Sequence, residues 1–85
     1  MNHKRLFARL SQGHLQNVSF RELVALAEAL GFHLVRISGS HHVFSHPEVR
    51  ELLNLQEVRG KGKPYQIRQL LRLVERYNLH LEAEP

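Results

Sequence analysis

Apolar residues recur along this chain in two rhythms, and the points where one gives way to the other mark its elements. In residues 3–10, Leu6, Phe7 and Leu10 stand at helical spacing among Lys4, Arg5 and Arg9, which predicts a short amphipathic helix. Ser11-Gln12-Gly13-His14 and Gln16-Asn17 interrupt it as a polar connection. A sharper start follows. Ser19 and Glu22 have the capping-box spacing, in which each side chain satisfies an orphan backbone donor of the other, and Val18 is placed to staple onto Leu23. The helix that opens at Phe20 turns Phe20, Leu23, Val24, Ala27 and Leu30 to one face and Arg21 and Glu28 outward. Gly31 closes it, since glycine enters the left-handed cap conformation without a Cβ penalty.

From Phe32 the rhythm changes. Phe32-His33-Leu34-Val35-Arg36-Ile37 is rich in β-branched and aromatic residues, and Ser38-Gly39-Ser40 follows as a hairpin corner. His41-His42-Val43-Phe44-Ser45-His46 resumes the pattern as a second strand and stops at Pro47, which cannot donate to a ladder. Glu48-Val49-Arg50-Glu51 turns the chain, Leu52–Val58 alternates as a third strand, and Arg59-Gly60-Lys61-Gly62-Lys63 reads as a basic, mobile loop. Pro64 suits a first helical position, with Ile67, Leu70, Leu71, Val74 and Tyr77 as the apolar stripe and Asn78 as the cap. The predicted fold class is α+β: a three-stranded antiparallel sheet with the second and last helices on one face. This α-β-β-β-α core has the layout of a double-stranded-RNA-binding domain. One domain is expected over 1–85, with 1–17 as a helical extension, 18–79 as the core and 80–85 as a short tail whose neighbour Leu79 and own Leu81 dock or fray.

Composition narrows the chemistry. The chain has no cysteine, so disulfides, thiolate zinc sites, iron–sulfur clusters and cysteine nucleophiles are excluded. No apolar run approaches the roughly 20 residues of a spanning helix, and the start lacks the apolar stretch of a secretory signal, so a cytoplasmic protein is expected. Twelve Lys and Arg against eight Asp and Glu give +4, which favours phosphate as a partner. No segment is a polybasic tail. Histidine is the unusual residue, seven in 85, with His41, His42 and His46 inside six positions.

Gly39-Ser40-His41-His42-Val43-Phe44-Ser45-His46-Pro47 is accordingly the densest functional candidate. Gly39 lets the chain turn tightly, and an imidazole at the strand's start stands at its mouth. With an unperturbed pKa of about 6.5, histidine takes a proton from a ribose 2′-hydroxyl and returns one to a leaving 5′-oxygen. RNA carries its own nucleophile, so one imidazole beside a basic surface suffices for slow transesterification without metal. On a strand His41 shares a face with Val43 and Ser45, whereas His42 shares one with Phe44 and His46. If Phe44 is core, His42 is a packed histidine and His41 the exposed one; structural or solvated roles stand beside the catalytic one for the whole cluster. Metal and cofactor are not expected, because neither His41-His42 nor the spacing to His46 matches a usual zinc arrangement. His3, His14, His33 and His80 read as surface or partly buried residues.

In Arg59-Gly60-Lys61-Gly62-Lys63-Pro64, glycines between cations let the backbone approach phosphates, and the helix start that follows adds partial positive charge. The same loop is equally readable as merely solvated. Arg68, Arg72 and Arg76 form a row along the last helix that faces phosphate, faces an acidic protein, or simply keeps the helix soluble. Tyr65 is placed to stack on a base or to pack at the rim. Arg36, Arg59, Lys61, Lys63, Tyr65, Arg68 and Arg72 are thus the candidate RNA-binding residues, with His41 as catalytic candidate and Gly39, His42 and His46 as its support.

Gly39-Ser40-His41-His42-Val43-Phe44, His46-Pro47, Leu53-Asn54-Leu55-Gln56, Gly60-Lys61-Gly62-Lys63-Pro64-Tyr65 and Ile67-Arg68-Gln69-Leu70-Leu71 together resemble the HicA (YcfA-like) toxin family, from about Val18 to Leu79. The resemblance implies a double-stranded-RNA-binding-like fold, messenger-RNA cleavage that stops translation, one essential histidine in the Gly-Ser-His-His corner, and neutralisation by a HicB-type antitoxin. Carried onto this chain, that histidine is His41, with Gly39 shaping its approach. Two features depart from short family members: residues 1–17 precede the helix with which those begin, and Lys63-Pro64-Tyr65 stands where Gly-Thr often enters the last helix. The expected function is a metal-independent mRNA-cleaving ribonuclease toxin. The alternatives are a non-catalytic RNA-binding module of the same fold and a protein-interaction module that has lost activity.

Overall fold

In a computed structural model, which describes residues 2–81, the chain runs α1 (His3–Ser11), α2 (Phe20–Ala29), β1 (His33–Ser38), β2 (His41–His46), β3 (Val49–Val58), β4 (Lys61–Gly62) and α3 (Pro64–Tyr77). Side chains open the first two helices: Asn2 accepts the Arg5 N–H at 3.0 Å, and Ser19 Oγ accepts the Glu22 N–H at 3.3 Å. The ends of α2 and α3 share one device. Gly31 (φ 101°) and Asn78 (φ 53°) turn left-handed, and the N–H groups of Phe32 and Leu79 return to the carbonyls of Ala27 and Val74. Both returning residues are buried apolar side chains, so each helix end is pinned to the core.

The four strands form one antiparallel sheet in the order β1-β2-β3-β4. The α+β class holds, with two corrections. The sheet has a short fourth strand, because Arg59–Lys63 is not a mobile loop: Arg59 (φ 54°) and Gly60 (φ 78°) make a left-handed two-residue turn that folds Lys61-Gly62 back onto Glu57-Val58. That strand also ties the start of α2 to the sheet, since Phe20 N–H donates to Gly60 O and Gly62 N–H to Val18 O, both at 2.9 Å. The second correction is that β3 begins at Val49 rather than Leu52. His46 Nδ1 accepts the Glu48 N–H at 3.0 Å, closing a tight turn after which pairing resumes at His46 and Val49.

Phe44, Leu53 and Leu55 from the sheet meet Leu23, Leu26 and Ala27 from α2 and Ile67 and Leu70 from α3, all with no exposed surface. Burial of each large side chain contributes roughly 1.5–3 kcal/mol. α1 packs on α2 and α3 and sends Leu6 and Leu10 into the same cluster, so the extension completes the core. Edge strand β1 lies outside it, with every residue exposed. Leu79 is buried and Leu81 packs against the cluster, so both dock; positions 82–85 of the tail lie outside the described residues. No helix among the described residues is long and apolar enough to cross a membrane.

Candidate functional site

The pleat of β2 sorts its three histidines onto two faces. Phe44 is fully buried against the helices, and His42 and His46 share its side. His42 packs edge-on against Phe20, with ring centroids 4.8 Å apart, and its Nδ1 is buried with no hydrogen-bond partner among the described residues. His46 lies about 16 Å along the strand from His41 at the usual rise per residue. Both of its nitrogens are engaged, Nε2 with Leu30 O at 3.1 Å and Nδ1 with the Glu48 N–H, while its ring stands edge-on to Phe32. The structure therefore does not bring His42 or His46 to the ring of His41.

His41 faces away from the helices. It is the first residue of β2, paired with Ser38 on one side and Gln56 on the other, and the Gly39-Ser40 turn sets its position. Gly39 has φ 60°, and a Cβ built there meets nothing within 4 Å, so the turn needs its backbone conformation and not its small size. His41 Nδ1 lies 3.2 Å from Asn54 Oδ1. With the amide oxygen as acceptor, the contact is a hydrogen bond in the tautomer that carries its proton on Nδ1 and a lone pair on Nε2.

A chain of hydrogen bonds runs beside this ring. Lys63 Nζ donates to Gln56 Oε1 at 3.1 Å, and Gln56 Nε2 donates to Ser40 Oγ at 3.2 Å. The backbone N–H of Gln56 donates to Gln66 Oε1, which ties the first turn of α3 to β3. The ammonium group of Lys63 is thereby held one side chain away from His41. Arg36, opposite Val43 in β1, shares the open face. Arg59 and Lys61 stand exposed at the β3–β4 turn and Tyr65 in the first turn of α3, at the same end of the sheet. Arg68 and Arg72 are not part of that gathering: Arg68 lines a groove with Arg9 and His14, and Arg72 lines another beside Glu51 and Arg76. Sequence reading did not name Asn54, Gln56 or Gln66 as site residues, although Leu53-Asn54-Leu55-Gln56 was among the motifs that carry the resemblance. For the first two, alternation with buried Leu53 and Leu55 was the available signal; Gln66, buried on the apolar side of α3, had none.

A family model for the HicA toxin of bacterial toxin-antitoxin systems matches residues 20–75, well over half of the chain. The chain belongs to the HicA toxin family. The HicA segment opens at the first residue of α2 and ends in the last turn of α3, so it contains all four strands and the His41 cluster and leaves α1 outside. HicA membership brings a toxin role and an antitoxin as partner. Searches of curated proteins and of solved structures returned no match.

Proposed function

We propose that this chain is an mRNA-cleaving ribonuclease toxin in which His41 acts on the ribose 2′-hydroxyl. The observation that carries the reading is the contact of His41 Nδ1 with Asn54 Oδ1 on the open face of the sheet, which with Nδ1 as donor selects the tautomer whose Nε2 can accept a proton, one side chain away from Lys63. Nε2 takes the proton of the 2′-hydroxyl as its oxygen attacks the adjacent phosphorus; the bond to the 5′-oxygen breaks, and the imidazolium so formed returns a proton to the leaving oxygen. The products are a 2′,3′-cyclic phosphate and a free 5′-hydroxyl. A positioned general base contributes about 10²–10⁴-fold to such a step. Lys63, with Arg59, Lys61 and Arg36 near it, offsets the charge that develops on the phosphoryl oxygens. Tyr65, exposed beside them, offers a stacking face to a base.

The partner is a HicB-type antitoxin that inhibits by covering the face around His41, and the site of action is the cytoplasm, where messenger RNA is translated. Residues 1–85 work as one domain in this reading. The test is incubation of wild type and His41→Ala, both free of partner and with matched circular dichroism, with long single-stranded RNA in excess chelator. Cleavage by wild type alone, with 2′,3′-cyclic phosphate ends, supports the proposal. Full activity of His41→Ala overturns it, and binding by both proteins with cleavage by neither leaves an RNA-binding module.

A further inference from the structure

The chain's net charge of +4 is confined to its first quarter. Residues 1–21 hold Lys4, Arg5, Arg9 and Arg21 and no carboxylate, whereas residues 22–85 hold eight cations against eight carboxylates. The segment that carries the excess is nearly all outside the stretch matched to the family, which begins at residue 20. It is nonetheless rigidly placed, because Leu6, Leu10 and Leu15 anchor it in the common core. Its cations therefore have fixed positions on the folded surface and do not hang on a loose arm.

The fold sets one part of this segment against α3. The connection after α1 and the first half of α3 form a groove of about 520 Å³ lined by Arg9, Gly13, His14, Leu15, Gln16 and Arg68. Among the described residues no carboxylate lines it. The Arg9 guanidinium donates to Gln16 O, which holds one wall, and His14 and Arg68 are exposed on either side. Arg68 lies five residues after Lys63 in α3, about 7.5 Å along the helix axis. Lys63 is the residue that reaches Gln56 next to His41. The groove beside α1 thus lies about one and a half turns of α3 from the residue that reaches the His41 cluster, with no cation between Lys63 and Arg68 in the sequence.

We infer that the groove between Arg9, His14 and Arg68 binds the phosphate backbone of an RNA strand beyond the scissile position, so that residues 1–17 add a substrate-holding surface to the family core. The inference rests on the RNA-cleaving reading above. Phosphate is the chemistry that matches: the groove offers two guanidiniums and an imidazole, no acidic group among the described residues, and glycine backbone at Gly13. Contacts of this kind hold a strand without reading its bases. An acidic protein surface would satisfy the same cations and is the competing occupant.

The experiment measures binding of a fluorescein-labelled 20-nucleotide single-stranded RNA by anisotropy over a series of salt concentrations, in the His41→Ala background so that the RNA stays intact. Arg68→Gln and Arg9→Gln are compared with Arg50→Gln, an equal loss of charge on β3 at the far end of the sheet from His41. Arg9→Lys retains the charge if Arg9→Gln disturbs the fold. Arg68→Gln is expected to weaken binding about five-fold near 0.1 M salt and to lower the salt slope by about 0.7, the value for one lost contact with a single strand, while Arg50→Gln changes affinity less than two-fold. Equal effects of Arg68→Gln and Arg50→Gln, with RNA still bound, overturn the groove and leave the RNA reading standing. No RNA binding at any salt by the His41→Ala parent overturns both. Poly-glutamate affinity that falls in Arg68→Gln while RNA affinity does not overturns the inference in favour of an acidic protein.

Discussion

Asn54 meets His41 diagonally across two strands: its register partner is Val43, yet its Oδ1 lies 3.2 Å from His41 Nδ1. Such diagonal neighbours stay within reach of long side chains in an antiparallel pair. The contact orients the ring, and with Nδ1 as donor it selects the tautomer that the proposed mechanism uses, so under that mechanism Asn54 is a positioning residue. Asn54→Ala is expected to lower kcat by about 10–100-fold with KM little changed, since loss of orientation alone has costs of that order. Asn54→Asp tells more. A carboxylate at Nδ1 favours the imidazolium, so the acid limb of the pH–rate profile moves to higher pH. Steady-state rates across about pH 5 to 9 measure both effects, and an unmoved limb in Asn54→Asp counts against the assignment.

Two glycines bracket the site for different reasons, and alanine separates them. At Gly62 a Cβ would sit 2.5 Å from Leu23 Cδ2, inside the fully buried junction between β4 and α2. Gly62→Ala therefore forces the core to shift and is expected to destabilise by about 1–3 kcal/mol. Gly39→Ala meets open space but must hold φ near 60°, a backbone strain of about 1–2 kcal/mol. Urea midpoints give both values. In cleavage Gly39→Ala is expected to lose more activity than its stability loss explains, because it moves the start of β2; Gly62→Ala is expected to track stability alone.

Much of this arrangement was legible because its causes are local. Ser19, Gly31, Pro64 and Asn78 act on backbone within a few residues of themselves, so the boundaries of α2 and α3 followed from spacing. Period-two alternation likewise put His41 and His42 on opposite faces once Phe44 was core. What was missed depends on partners distant in sequence or on unusual backbone. Asn54 is 13 residues from His41, Gln66 is 10 from Gln56, and Leu30 is 16 from His46. Arg59 takes a left-handed conformation that its side chain does not announce, so the β3–β4 hairpin read as a loop.

α1 lies outside the family match, yet its contacts make it part of the folding unit. Leu10 has no exposed surface and packs in the common cluster. Leu10→Ala is expected to cost about 2–5 kcal/mol, the range for a buried leucine that leaves a cavity. Thermal unfolding followed by circular dichroism is expected to show one transition at lower temperature. An early separate step confined to α1 would mean that the extension melts on its own.

Glu51 closes the far end of the molecule and gives it a dependence on acid. Its carboxylate accepts the Tyr77 hydroxyl at 2.6 Å and the Arg76 guanidinium at 2.7 Å, joining β3 to the last turn of α3. The Tyr77 hydrogen bond foremost, then its own backbone and Arg76, hold the carboxyl below its ordinary value of 4.5 against the opposing pull of desolvation. A folded-state value that is depressed means the charged form is favoured by folding. The resulting stability is present above the ordinary carboxylate value and disappears as pH falls through the lower folded one. Glu51→Gln keeps an acceptor for Tyr77 but removes the charge, so wild type is expected to be the more stable protein near neutral pH. The gap between their urea midpoints is expected to close as pH falls below the ordinary carboxylate value of 4.5 and through the lower folded one. Added salt narrows the gap at neutral pH through screening of the exposed Arg76 pair, leaving the Tyr77 hydrogen bond in place. A gap of constant size from neutral pH into acid would show that the charge of Glu51 has no part in holding α3 to the sheet.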